Sequence, residues 1–343
     1  MIFAMRTAVA VAMLTVASAE PVIAAAPQRY EFSRIRMGVP FRITVYADDE
    51  AVANAAATAA YRRVEALNLV FSDYDRRSEA SRLSREAKPG VPMPVSDDML
   101  TVLMRSQCFA RRTGGAFDVT VGPVTKLWRV AKRKKELPTS EQLERGTALV
   151  GYRQLSLDRE NRTVTFDQDG IQLDFGGIAC GYACDEMLRI FKEHGLNRVL
   201  IESSGDVVAG DPPPGRDHWT IGIGSLTRPD AAPEKFIGLV NRAVTTSGDA
   251  YQFVEFDGVR YSHIVDPKTG LGLTARSSAT VLADDCATAD ALATAASVLG
   301  PEKALELIES VEGAEMLMVY VGDDGMLRKM TTVEFKRHVV EPP

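Results

Sequence analysis

The chain has 343 residues, 45% of them apolar and 25% charged, and a net charge of −6. That length holds one large domain or two modest ones, and the composition is that of an ordered globular protein rather than a disordered one. The mildly acidic balance supplies no overall pull toward nucleic acid or anionic membrane.

Met1 to Arg6 form a short positive start, and Thr7 to Ala17 an apolar stretch too short for a stable membrane span. Small residues follow at Ala17-Ser18-Ala19 and Ala24-Ala25-Ala26, either of which suits a signal peptidase. Residues 1–26 are therefore expected to be a cleaved signal peptide, and 27–343 the working domain in an exported compartment. No other apolar run reaches the roughly 18 residues of a spanning helix, so stable membrane insertion is not expected.

A strand is predicted at Phe41 to Tyr46, then an Ala-rich helix from Ala51 to about Phe71. Ser96 caps a second helix, Asp97 to Arg112, which Gly114-Gly115 closes. Gln154 to Asp158 and Thr163 to Asp167 read as a hairpin, and Ile171 to Phe175 as a strand leading to a helix from about Gly181 to His194. Strands follow at Arg198 to Ile201, Trp219 to Gly224 and Phe236 to Thr245. Phe253 to Phe256 and Arg260 to Val265 flank Asp257-Gly258, a strong hairpin signal. A strand at Ala279 to Leu282 leads into helices Thr288 to Leu299 and Pro301 to Val311, and a last hairpin turns at Asp323-Asp324-Gly325. Hairpins separated by helices predict an α+β fold with largely antiparallel sheets and packed helices.

The cysteines at 108, 180, 184 and 286 do not read as a disulfide framework, since a chain this long has core enough without staples. Nor do they read as a zinc site, because no Cys-x2-Cys pair occurs. Cys108 is expected in the core, and the basic run Lys132-Arg133-Lys134-Lys135 in a solvated loop.

Four segments have residues suited to chemistry. Gly176-Gly177-Ile178-Ala179-Cys180-Gly181 is either a diphosphate seat at a helix N-terminus or a tight turn with close packing. Asp290 and Thr294 share a helix face, a carboxylate and hydroxyl that suit a hard cation such as Mg²⁺ or merely a helix start favoured by the macrodipole. His263 reads as a proton acceptor or a structural residue, with Asp249 as its orienter or a base itself. Ala116, Phe117 and Asp118 follow a helix stop and suit an aromatic ring and a hydroxyl, or simply begin a short strand.

Taken in order, the segments resemble the ApbE-type FAD:protein FMN transferase family. The matches are Met37-Gly38, Phe71-Ser72-Asp73-Tyr74-Asp75 with Ser78-Glu79, Gly114 to Trp128, Leu173 to Ala179, Ser247-Gly248-Asp249, Tyr261 to Pro267 and Thr288 to Thr294. The resemblance implies an ApbE-like, T-fold-related catalytic domain that moves FMN from FAD to a Thr or Ser hydroxyl of an exported acceptor flavoprotein. It implies FAD as substrate and Mg²⁺ or another divalent cation at the diphosphate, and the export signal of residues 1–26 makes the expected location periplasmic. By position it assigns FAD contacts to Met37, Tyr74, Ala116, Phe117, Asp118, Gly176, Tyr182 and Ile264. It assigns the metal to Asp290, Thr294 and the carbonyl of Ala179, and proton transfer to His263 and Asp249. A flavin carrier and an FAD pyrophosphatase are the alternatives on the same fold. The chain departs from the family at Cys180, where Lys is common, at Ser204-Gly205-Asp206 in place of Gly-Gly-Asp, and at Ala250, often an aromatic.

Overall fold

The computed structural model describes residues 26–342, apart from 229, 234 and 251. The predicted leader lies outside the described residues except for Ala26.

The chain opens with a hairpin, β1 (Gln28–Arg36) and β2 (Val39–Ala47), then α1 (Glu50–Phe71) and α2 (Glu79–Glu86). After β3 (Met93–Pro94) come α3 (Asp97–Arg112), α4 (Gly122–Lys134) and α5 (Ser140–Thr147). The small hairpin β4 (Leu155–Asp158) and β5 (Thr163–Phe166) leads to α6 (Ala179–Glu193). Next are β6 (Val199–Ser203), β7 (Asp206–Ala209), β8 (Trp219–Ile223), β9 (Lys235–Leu239) and β10 (Ala243–Gly248). The hairpin β11 (Phe253–Phe256) and β12 (Val259–Ser262) precedes β13 (Ser277–Ala283), α7 (Cys286–Leu299) and α8 (Pro301–Glu309). The chain closes with β14 (Glu315–Val321), β15 (Leu327–Thr331) and β16 (Val339–Val340).

An eight-stranded antiparallel sheet, ordered β1-β2-β6-β7-β10-β13-β14-β15, forms the frame. Along β2, Phe41, Ile43 and Val45 are fully buried under the helices, while Arg42 faces the other way. Helices α6 and α7 pack on β7, β10 and β13. They approach to backbone contact, because a Cβ on Gly181 would fall 2.5 Å from the carbonyl oxygen of Cys286. Only glycine permits that crossing. The Asp185 carboxylate fixes the same junction by accepting the N–H groups of Cys286 at 2.7 Å and Ala287 at 3.0 Å. On the opposite face a second sheet, β16-β9-β8, places Trp219, Ile237 and Leu239 over Leu200, Val244 and Leu282.

The α+β, largely antiparallel architecture is as predicted, and several local expectations are corrected. The segment Phe236 to Thr245 is not one strand, because Asn241 adopts a left-handed backbone (φ 47) and sends β9 and β10 into different sheets. Asn is among the few side chains that take this conformation at little cost. Ile171 to Phe175 forms a single bridge, Val121 to Gln172, and buries Ile171, Leu173 and Phe175 without a ladder. The basic run ends helix α4 instead of filling a loop, where its charge complements the helix dipole. Cys108 is exposed, since α3 buries the face defined by Met99, Val102, Leu103, Ser106 and Phe109. Strand β1 and helices α2, α4 and α5 are not among the predicted elements.

Candidate active site

A cleft of about 1700 Å³ opens between α4, α6, α7 and the strands of both large sheets. Small-molecule pockets are typically about 300–1,000 Å³, so this one has room for a dinucleotide and part of a second reactant.

Its floor lies where α6 meets α7. Ala179 begins α6, and Asp290 and Thr294 stand one turn apart on α7, all three lining the cleft beside Asp206 and Cys180. Asp290 is buried, and its Oδ2 has no hydrogen-bond partner. Burial pushes the Asp290 carboxyl well above the usual range, and the neighbouring Asp206 carboxylate adds to the effect. Asp206 is itself pushed up to about 7, chiefly by burial. Two acids facing one another in a low-dielectric floor lack a counter-charge, and a divalent cation would supply it. Among the described residues no group of three or more His, Cys, Asp or Glu side chains forms a metal cage. A cation here would therefore draw on the Asp290 carboxylate, the Thr294 hydroxyl, the Ala179 carbonyl and oxygens of a bound phosphate, a hard-oxygen set that fits Mg²⁺. Gly177 keeps this path open, because a Cβ there would fall 2.8 Å from Thr294 Oγ1.

The side wall is aromatic and cationic. Met37, at the β1–β2 turn with φ 49, Tyr74, Ala116, Phe117, Gly176 and Ile264 all line the cleft. Asp118 lines it too, yet its carboxylate already accepts from Thr120 N (2.9 Å), Thr120 Oγ1 (2.7 Å) and Tyr152 N (2.7 Å). It holds a loop as well as facing the ligand space. The Arg129 guanidinium lies 4.3 Å over the Tyr74 ring and pairs with both Asp73 and Asp174, the latter at 2.8 Å. This triad was missed in the sequence.

His263 stands at the mouth, reached by solvent on one side and walled by protein on the other. Its Nδ1–H donates to the Gln252 carbonyl at 3.0 Å, which leaves Nε2 with a free lone pair. Removal of water by the surrounding walls lowers its pKa below the ordinary histidine value, so the ring is a neutral base at pH 7. Asp249 is different. It does not line the cleft, and its Oδ2 is held by Arg260 Nε at 2.9 Å with Arg276 at 3.8 Å. Its Oδ1 is buried without a hydrogen-bond partner, and the ion-paired carboxylate exerts a negative field on His263, which suits it to orienting the ring rather than to serving as the base. Tyr182 also lies outside the cleft: its hydroxyl donates to Asp98 Oδ1 at 3.0 Å and its ring packs edge-on to Phe71. A residue two places from the floor residue Cys180 thus points to the other side of α6, as helical geometry requires.

A dinucleotide-sized cleft with an acidic floor and a neutral histidine at its mouth defines a nucleotide-handling enzyme site on an α+β frame. The chain belongs to the ApbE family, whose sequence profile matches residues 37–318. It is 32% identical to the FAD:protein FMN transferase of Haemophilus influenzae over 88% of this chain and 89% of that protein. The FAD:protein FMN transferase of Treponema pallidum is 30% identical over 85% of each chain. Among solved structures, the flavin transferase ApbE from Vibrio cholerae superposes with a TM-score of 0.82 at 30% identity, covering 91% of this chain and 99% of that one. The ApbE protein from Thermotoga maritima gives 0.81 at 30% identity, covering 92% and 100%.

Proposed function

We propose that this protein transfers FMN from FAD to a Thr or Ser hydroxyl of an acceptor flavoprotein and releases AMP, working in the periplasm with a divalent cation at the diphosphate. The observation that carries the reading is the unpartnered, buried Asp290 oxygen beside Asp206, Thr294 and the Ala179 carbonyl in a cleft that His263 overlooks. The export signal pattern of residues 1–26 supports the location.

Met37, Tyr74, Phe117 and Ile264 wall the flavin end, and Arg129 adds a cation beside it. Helix α6 begins at Ala179 on the floor, so the positive end of its dipole would face the diphosphate. The acceptor oxygen attacks the FMN-side phosphorus, the bond to the AMP oxygen breaks, and the acceptor proton passes to His263 Nε2. When bound, the cation neutralises the diphosphate and the charge growing on the leaving oxygen.

The test is incubation with FAD and Mg²⁺, with and without a soluble acceptor domain. Transfer gives a covalently fluorescent acceptor and AMP. Free FMN and AMP with no labelled acceptor would mean hydrolysis, and unchanged FAD would mean a carrier; either result overturns the proposal.

A further inference from the structure

One arm of the cleft leads away from the acidic floor along the second sheet. Every residue of β8, Trp219 to Ile223, lines it, as do Gly224 and Ser225 beyond. In the order β16-β9-β8 this strand is an edge, paired with β9 on one side only. Among the described residues no backbone group outside β9 bonds to the main chain of residues 219–225, while their side chains hold the Asp211 carbonyl through Trp219 and the Arg228 amide through Ser225. Natural edge strands are usually blunted by Lys, Pro or a bulge. Trp219-Thr220-Ile221-Gly222-Ile223 has neither a charge nor a proline, and Gly224 has open space where a side chain would stand.

The edge overlooks the part of the main sheet, on β1, β2 and β6, that lines the cleft. Arg42 lies opposite Glu202 across β2 and β6, and Arg29 pairs with Glu31 on β1, so this floor is polar but internally neutral. The arm has a direction. Trp219 packs against Tyr46 at the far end of β2, with ring centroids 5.9 Å apart. At the other end Arg276 holds the Leu226 carbonyl at 3.0 Å and faces Asp249, next to the wall that carries His263. Five residues of strand span about 17 Å at roughly 3.3 Å each, a track that runs along the arm toward the catalytic wall.

We propose that this edge docks the acceptor protein: the stretch of acceptor chain that carries the hydroxyl lies extended along β8 and adds a fourth strand to the β16-β9-β8 sheet. The inference rests on the FMN-transfer reading. A hydroxyl on another folded protein has to be delivered into a cleft, and an extended strand is a slender way to present it. Main-chain pairing supplies affinity, and the side chains of the added strand face the neutral floor in alternation. Recognition through this edge depends little on net charge. The competing dock is the basic end of α4, where Lys132 reaches the cleft, and it would make binding strongly salt-sensitive.

A proline in β8 would also disturb its pairing with β9, so the test alters the acceptor. A short synthetic peptide around the flavinylated threonine of an acceptor domain is made with single backbone N-methyl groups at successive positions. Full-length enzyme, FAD and Mg²⁺ are supplied throughout. Methylation at alternate positions is expected to raise KM roughly tenfold, with the intervening positions within about twofold of the parent. Amides of residues 219–225 should gain hydrogen-exchange protection when the acceptor domain is added, and KM should change little with salt. If the parent peptide and its domain gain no flavin, the transfer reading fails and the dock with it. Flavin transfer with no alternation in KM, or a KM that climbs steeply with salt, would overturn the dock alone. Protection of 219–225 that grows with enzyme concentration without acceptor would assign the edge to a second copy of the chain instead.

Discussion

The floor of the cleft and its rim are built on opposite terms. At the floor, α6 and α7 touch backbone to backbone, and the buried Asp206 and Asp290 lie beside the half-buried Cys180. At the rim, Tyr74 is 76% exposed, His263 meets solvent and β8 offers unpaired backbone. A rigid, dry floor can hold a fixed charge pattern against one invariant group, a diphosphate. A wetter rim tolerates a larger and more variable partner. The difference teaches where each kind of substitution will register: floor changes through the metal and the diphosphate, rim changes through proton transfer, pH dependence and contacts with the bound partners.

The largest effect is expected at the floor. Asp290→Ala should lower turnover by roughly a thousandfold or more, since a Lewis-acidic cation is worth several kcal/mol to the step it serves. The metal-free melting temperature should hold or rise, because the variant removes an unpaired buried acid. The stabilisation that added Mg²⁺ gives the wild type should vanish. Thermal melts with and without Mg²⁺ check this, and a full Mg²⁺-dependent shift in the variant would remove Asp290 from the metal site.

At the rim, His263→Ala should slow transfer by about 10²–10⁴ while FAD binding stays near normal. A loss of about tenfold or less would leave His263 a structural residue. Its pH signature follows from the lowered pKa. The neutral ring is the active form, so activity falls as pH drops through that pKa. The acid limb of kcat/KM should therefore lie below the ordinary value near 6.5 and disappear in the variant. An acid limb that survives unchanged in His263→Ala would belong to another group.

A smaller effect is expected from Arg129→Met. It leaves Asp73 and Asp174 without their shared partner and strips the cation from Tyr74. FAD affinity should weaken roughly tenfold with kcat little changed, in keeping with the worth of a partly buried charged contact. Equilibrium FAD titration reads it, and an unaltered Kd would confine Arg129 to holding the loop.

The same contrast explains what was legible in the sequence. Floor residues sit in short local signals: glycines before a helix, and Asp290 four residues from Thr294 on a helical face. The rim is made of distant partners. Arg129 reaches Asp73 across 56 positions and Asp174 across 45, and no local pattern announces either pair. The second sheet that carries β8 is separate from the main one at Asn241, where the left-handed turn parts β9 from β10 and periodicity alone ran one strand through to Thr245. Tyr182 and Asp249 sit beside cleft residues in sequence but turn away from the cleft, since neighbours on a helix or a strand end point in different directions.

The finest comparison lies within the floor, at Cys180, the position where the family resemblance implies a Lys. The thiol lines the cleft, and burial together with Asp206 and Asp290 pushes its pKa well above the usual thiol range. It is therefore neutral and gives the diphosphate no positive charge. Two unit charges about 4 Å apart interact by roughly 4 kcal/mol at an effective dielectric near 20, and desolvation takes back much of that. Cys180→Lys should accordingly tighten FAD binding about tenfold when chelator is present and much less when Mg²⁺ is abundant. The same ammonium would neutralise the acid pair, so Mg²⁺ itself should bind more weakly to the variant without FAD. Titrations of FAD and of Mg²⁺ against both proteins, under reducing conditions, separate these effects. Equal FAD affinity with chelator, together with unchanged Mg²⁺ binding, would place the charge at position 180 outside the reach of both the diphosphate and the acids.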